Sequence, residues 1–540
     1  WDFSREMTAR ITWKPYMFNR RLAPLLREVT TPTLLVWGSE DVIVPPICGR
    51  QYKAALPNAR LEIIEGAGHL VEFEEAERLV SLIHCPAARP ARPGAPSREH
   101  STGETAAMVF IGYFTERPYQ DPNSGYFGAA GRDITDLGLS NASYDPKIGA
   151  ELYNRYLDEK VYAEEMGFDG LMLNEHHSTP FCMGGVMNVE AAILARITKR
   201  AKIVLLGNVL PIWDDPLWLA EDLAEIDMIS RGRLVTGWVR GTGRESVAHN
   251  AQPPFNWERF QEAHDFIVKT WTTPGPFRWE GEHYHYRYVN PWARPYQQPH
   301  PPIWIPGIMS RNTVAWAAKH RYPYIMLATE LEPTRQSYQY YADVAKEEGY
   351  EAGPQHRGYL FKVHVDETEE LAEMAARKYI QGPSNPFLEG NQGNIRPFIQ
   401  NLPGLTSRTQ LLPTVVSFAA AASRGRQKEH EAAIASQEEQ DKRDFLGSFE
   451  EQIDKMSIIT GTPKTVIPKV RHVLEYLRPG SIFFWDGDGA MSHGDSMRSL
   501  RLMGEEVIPA VKEIGKELDL PSPFDIDPKT NKAVEAEAPA

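Results

Sequence analysis

Two adjacent imidazoles stand beside a carboxylate in Asn174-Glu175-His176-His177, directly after the apolar run GLML. Imidazole titrates near neutral pH, so His176 is a candidate general acid/base. Neighbours on an extended chain point to opposite sides, and no third ligand stands at a helpful spacing, so no metal site is expected there. The plainer alternative is a histidine that only satisfies local hydrogen bonds. A second segment, Arg240-Gly241-Thr242-Gly243, follows the run LVTGWV. A guanidinium beside glycine-rich backbone suits a phosphate or an anionic ring. A third, from Pro306 to Thr313, puts the hydroxyls of Ser310 and Thr313 ahead of a helical stretch. Such a helix start can take a phosphate or simply carry a cap. Together the two segments favour a cofactor bearing one phosphate. Nearer the N-terminus, Asp41 and His69 each close a short loop, Gly38-Ser39-Glu40-Asp41 and Gly66-Ala67-Gly68-His69. They could form an acid–base pair, but no Gly-x-Ser-x-Gly occurs in the chain. Without a nucleophile the pair cannot carry out covalent acyl transfer. Water activated by His69 is the remaining chemistry, and a packing appendage is the preferred reading.

The elements that must position these groups alternate along the chain. Strands are expected at Met108–Phe114, Asp169–Leu173, Lys202–Asn208, Leu234–Arg240, Pro302–Pro306, Tyr324–Ala328, Tyr359–Val365 and Ser481–Asp486, with amphipathic helices after most of them. Strand–helix alternation implies a parallel sheet, and eight strands fit an α/β fold closed as a (β/α)8 TIM barrel. The strands are apolar on both faces, as in IVLLGNV and SIFFW, which fits a sheet covered by helices on one side and filled on the other. In a barrel, side chains at C-terminal strand ends face the active site, and His176 and Arg240 hold such positions. Residues 383–455 read as a helical insertion before the last strand and a candidate lid. Residues 86–107, rich in Pro, Ala and Arg, read as a linker. Met108 reads as the start of a once independent protein, hence a fusion. The expected organisation is a partial hydrolase-like segment over 1–85, the linker, the barrel over 108–517 and a loose tail over 518–540.

The net charge of −14 lacks the basic stripe of a nucleic-acid binder. The three cysteines, Cys48, Cys85 and Cys182, have no short-spaced pair, which suits a reducing cytoplasm and argues against a disulfide framework. No apolar run approaches about 18 residues, so no membrane span is expected.

The run TLLVWGSEDVIVP followed by ARLEIIEGAGHLVEF resembles the last third of the α/β-hydrolase fold, in which Asp41 and His69 match the acid and base of the triad. The larger resemblance covers residues 108–515. NEHHSTPFCMGG, the series GNVLPIWDDPLWLAEDLAEIDMISRGRLVTGWVRGTGRE and Gly461-Thr462-Pro463 are similar to the bacterial luciferase-like flavin monooxygenases. That resemblance implies that His176 is the catalytic histidine beside the flavin and Arg240 the flavin-phosphate arginine, with backbone contacts from Gly241 and Thr242. Ser310 and Thr313 stand where the family binds phosphate, although this chain is one residue longer there and lacks the family's Glu-Ser pair. Val239 replaces the reactive cysteine of luciferase proper, which argues against light emission. The family also places a non-prolyl cis peptide at the end of the third strand. Alignment on Pro211 puts it between Leu206 and Gly207, with Asn208 next, and Gly207 is expected to leave room for the ring. The implied cofactor is reduced FMN. No Gly-x-Gly-x-x-Gly follows a strand, so a separate flavin reductase must supply it. The other implied partners are O2, a small organic substrate and a second copy of the chain as a homodimer. Trp213, Trp238, Trp304 and Trp485 point to an apolar substrate, unless they are ordinary core aromatics. A deazaflavin-dependent oxidoreductase on the same fold and a hydrolase acting through the N-terminal segment are the rival readings.

Overall fold

The computed structural model describes residues 26–27, 33–69, 71–76, 78–79, 82, 108–121, 140–180, 182–241, 243–252, 255–308, 310–380, 449–487 and 491–534. The expected linker 86–107 and the candidate lid up to residue 448 lie outside them. The chain divides into two units, residues 1–104 and 105–540.

In the first unit, β1 (Thr33–Gly38) and β2 (Ala59–Ile64) pair in parallel from Thr33↔Ala59 to Gly38↔Ile64, joined through helix α1 (Pro46–Ala55). Ile64, Ala67 and Val71 form its small core. A side chain at Gly38 would stand 2.1 Å from the Gly68 carbonyl oxygen, so only glycine lets the two loops beyond the strands meet.

The second unit is a closed parallel barrel. Its wall begins with β3 (Phe110–Phe114), β4 (Gly170–Leu173), β5 (Lys202–Leu205), the short continuation β6 (Asn208–Val209) and β7 (Leu234–Val239). An antiparallel hairpin follows, β8 (Phe277–Glu280) and β9 (His285–Val289), before β10 (Ile303–Gly307), β11 (Tyr324–Leu327), β12 (Arg357–Val365), β13 (Ile458–Gly461) and β14 (Ser481–Trp485). The order around the barrel is β3-β4-β5-β7-β10-β11-β12-β14, and β14 pairs back to β3. All eight expected strands are therefore present. The expectation omitted β13, which pairs with β12 from Lys362↔Ile458 to Val365↔Gly461, and the β8–β9 hairpin. Glu262 clasps that hairpin, accepting the Glu282, His283 and Tyr284 N–H groups and the Trp279 indole N–H.

The two-residue period of the strands sorts their side chains into two cores. Phe110, Phe114, Met172, Val204, Leu206, Trp304, Leu360, Phe483 and Trp485 cluster together as the barrel filling. Their neighbours Ile111, Tyr113, Leu171, Ile203, Leu205, Ile482 and Phe484 join the core shared with the helices. Those helices are α2 (Pro146–Glu165), α3 (Met187–Ile197), α4 (Pro216–Ser230), α5 (Gly243–Ala248), α6 (Asn256–Thr272), α7 (Arg311–Lys319), α8 (Leu331–Glu347), α9 (Pro463–Leu477), α10 (His493–Leu502) and α11 (Ile508–Glu517). Proline in the first turn and an aspartate cap start α2 and α4: Asp145 accepts the Lys147 N–H and Asp215 the Leu217 N–H.

The tail departs from expectation. Residues 518–534 are ordered, with Leu520 fully buried and a small hairpin of β15 (Ile526–Asp527) and β16 (Lys532–Ala533). Phe524 lies 5.3 Å from the Phe110 ring and 5.7 Å from the Trp304 ring, with the Lys202 ammonium 4.8 Å from its own ring. These partners stand at strand beginnings, so Phe524 closes the N-terminal end of the barrel. Apolar burial at one aromatic outweighs a composition rich in Pro and charge.

Candidate active site

At the other end of the barrel, the segments following the strands carry the polar residues. His176, three residues beyond β4, brings its Nδ1 to 2.8 Å from Glu245 Oε1 on α5, and the carboxylate is buried. Glu175 serves a different purpose. Its Oε1 meets His177 Nε2 at 2.9 Å, while Oε2 accepts the Val209 N–H at 3.0 Å and the Asn208 amide at 3.4 Å. Asn208 also donates to Asn188, and Asn188 to Asp222. One carboxylate thus braces the backbone between β5 and β6. His249 lies edge-on to His177, and burial, followed by that neighbour, lowers its pKa.

The bond between Leu206 and Gly207 is cis, as the resemblance implied. The reason for glycine is corrected. A Cβ at Gly207 would sit 2.3 Å from the carbonyl oxygen of Gly237 on β7. The residue is small because two strands approach there, whatever binds above them.

Arg240, just past β7, donates to Ser310 Oγ at 3.1 Å, and its guanidinium lies 5.3 Å over the Trp257 ring. Ser310 is the residue before α7, and its side chain makes no capping bond to that helix. No carboxylate pairs with Arg240 among the described residues, and burial lowers its pKa. The phosphate candidates from two strands therefore meet. Gly241 has φ +73°, Thr242 lies outside the described residues, and Thr313 is buried in the first turn of α7.

A buried network that the sequence reading missed lies at Asn174, just past β4. Arg117 ion-pairs with Glu190 at 3.1 Å and donates to the Asn174 carbonyl, and the Asn174 amide donates to Glu116. Of the four candidate tryptophans, Trp238 lies in the core shared with the helices, Trp304 and Trp485 lie in the barrel filling, and Trp213 alone is partly exposed. Among the described residues one set of possible metal ligands converges, His264, Asp265 and His320, but both ring nitrogens of His264 already meet Asp265 and Tyr322.

In the first unit, His69 Nδ1 stands 2.9 Å from Asp41 Oδ2, and Asp41 Oδ1 accepts the Ile43 and Val44 N–H groups. Burial alone would raise the Asp41 pKa, but the His69 bond and the two N–H groups lower it on balance. The acid–base geometry is intact.

Residues 140–478 match the model of the luciferase-like monooxygenases. The chain belongs to this family. Residues 1–76 match the alpha/beta hydrolase fold. Among luciferase-like relatives, the alkanal monooxygenase alpha chain of Photobacterium leiognathi is 25% identical over 46% of this chain and 73% of its own length. The oxygenase component of the flavin-dependent trigonelline monooxygenase of Acinetobacter baylyi is 28% identical over 30% of this chain and 45% of its own length. The chain thus spans about half the length of several of the relatives it matches. A similar fold is that of the oxygenating constituent of 3,6-diketocamphane monooxygenase from Pseudomonas putida, in complex with FMN, with TM-score 0.53 and 18% identity over 75% of this chain and 98% of that one.

The luciferase-like monooxygenase family is flavin-dependent, and the residues here fit such a group. A flavin phosphate needs a cation and hydroxyl donors, and Arg240 with Ser310 supplies both. The buried Oδ1 of Asn208 lacks a hydrogen-bond partner among the described residues, which suits the N–H edge of a flavin ring. No helix among the described residues is long and apolar enough to cross a membrane.

Proposed function

We propose that the barrel is the oxygenase component of a two-component monooxygenase, taking reduced FMN from a separate flavin reductase and using O2 to oxygenate a small apolar organic molecule. The observation that carries this reading is Arg240, a partly buried guanidinium with no carboxylate partner among the described residues, at the mouth of the barrel that also holds the His176–Glu245 pair. The trigonelline enzyme's description as an oxygenase component, and the FMN bound to the diketocamphane enzyme, support it. When bound, the flavin supplies the reaction with O2 and the transfer of one oxygen atom. This chain's residues do the rest. Arg240, Ser310 and the backbone at Gly241 and Thr242 hold the phosphate. Asn208 accepts from the ring, and His176 holds or moves the proton. Thr313 belongs to the phosphate end in this reading.

A second copy of the chain is the proposed partner in a homodimer. Val186, the residue before α3, and Val189, Ile193 and Ile197 on it form one exposed apolar row, and Trp218, Met228 and Ile229 are exposed on α4. In this reading the N-terminal unit, which matches the alpha/beta hydrolase fold over residues 1–76, is fused to the oxygenase, and the proposed location is the cytoplasm. Anaerobic equilibrium titration with reduced FMN, run beside reduced deazaflavin, tests the cofactor. Saturable binding of reduced FMN is expected, with label from 18O2 entering product from a panel of small ketones, aldehydes and aromatics. Binding of deazaflavin alone would overturn the reading.

A further inference from the structure

The segment that follows β7 carries two charged groups of opposite sign five residues apart, Arg240 and Glu245. Only the first is read above as a ligand of the cofactor. Glu245 is 1% exposed, and a carboxylate so deeply buried needs a partner to remain charged. Its Oε1 stands 2.8 Å from His176 Nδ1. The local backbone makes this approach possible. Gly241 turns with φ +73°, and a Cβ there would lie 2.5 Å from Val209 Cγ1 and 3.4 Å from the Glu245 Cβ. A glycine at this corner therefore lets α5 lay its first turn against the segment beyond β5.

We infer that Glu245 is a positioning residue for His176: its carboxylate fixes the ring's proton on Nδ1 and orients the imidazole, leaving Nε2 as the atom that exchanges a proton during turnover. This rests on the proposed role of His176. The chemistry is that of a neutral imidazole, in which one nitrogen donates and the other accepts. A carboxylate on Nδ1 sets which is which, and it stabilises the imidazolium once Nε2 takes a proton. A balanced step follows: Nε2 gains a proton from the reacting group, positive charge spreads over the ring, and Glu245 stays ionised beside it. The nearby titratable groups are differently engaged. Glu175 is committed to His177 and the Val209 N–H, and His249 packs edge-on against His177. A structural reading, in which Glu245 merely fills the first turn of α5, predicts no effect on the titration of His176.

The test uses the full chain with isotope-labelled histidine. NMR titration of His176 is compared in wild type and Glu245→Gln, with His176→Ala used to assign the signal. Loss of a carboxylate within hydrogen-bond distance lowers an imidazole pKa by about one unit or more, so a fall of that size in Glu245→Gln is expected. Affinity for reduced FMN, measured anaerobically, stays within about twofold and shows that the barrel has folded. The pH profile of flavin reoxidation by O2 should move by the same amount in Glu245→Gln and flatten in His176→Ala. A His176 pKa unchanged by Glu245→Gln overturns the inference and leaves the role of His176 standing. A pKa that falls while the pH profile keeps its position, in both variants, overturns the role of His176 and the inference with it.

Discussion

His364 on β12 offers a test of how charge is held inside this barrel. The side chain is fully buried, with Nδ1 2.9 Å from Asp486 Oδ1 and Nε2 3.8 Å from Asp366 Oδ2. Asp366 in turn takes two hydrogen bonds from Arg498, which also holds Asp495. Burial alone would lower the His364 pKa, but Asp486 first and Asp366 next raise it to about 9. An unfolded histidine titrates near 6.5, so the gap is about 2.5 units, worth about 3 kcal/mol at 1.36 kcal/mol per unit. Because the folded pKa lies above the unfolded one, this stability is fully present below pH ~6.5 and is lost as pH rises through about 9. Lys160 works in the opposite sense. Burial pulls its pKa down to about 7, so it costs stability at low pH and that cost fades as pH rises. Tyr113, beside Asp486, is pushed far up by burial and stays neutral throughout. A wild-type curve alone would therefore mix two effects. Urea unfolding followed by tryptophan fluorescence from pH 6 to 9.5, in wild type and His364→Gln, separates them because Lys160 is common to both. The variant should be less stable by about 3 kcal/mol at pH 6, since Asp486 and Asp366 lose their buried cation. The difference should close towards pH 9.5. Curves that run parallel across the range would refute a buried imidazolium.

Arg240→Ala should weaken reduced-FMN binding by about 1.5–3 kcal/mol, the range for a charge-assisted hydrogen bond, and unchanged affinity in equilibrium titration would remove Arg240 from the cofactor site. Phe524→Ala should destabilise the barrel by about 1–2 kcal/mol when urea midpoints are compared, below the ~1.5–3 kcal/mol of a fully buried large apolar side chain because Phe524 is only partly buried. A loss below about 0.5 kcal/mol would return the C-terminal segment to a loose tail. The purified chain should hydrolyse a nitrophenyl ester no faster than its His69→Ala variant, because the intact Asp41–His69 pair has no nucleophile in this sequence. Activity that vanishes in the variant would show that water activation suffices.

What could be read in advance follows from the range over which each residue's role is decided. A barrel strand covered on both sides is a local apolar run, so IVLLGNV and SIFFW announced themselves. IITG, the four residues of β13, has the same chemistry, but it is short and stands after a long polar stretch, so nothing local separates it from a loop. The β8–β9 hairpin depends on Glu262, far upstream, to hold its turn. Phe524 looks like one aromatic among prolines and acids until the ring of strand beginnings it fills has formed. The same division runs through the site. His176 and Arg240 were legible because the end of a barrel strand is a place where sequence position fixes location. Glu245 was not, because an acid in GRES is equally an ordinary first-turn residue of a helix. Its partner is 69 residues away, and only the pairing of β4 and β7 on either side of β5 brings their ends together. Gly207 shows the converse. The position was identified correctly, yet its smallness is imposed by Gly237 on the next strand. A family resemblance transfers positions, whereas the force acting at each position has to be found among its neighbours in space.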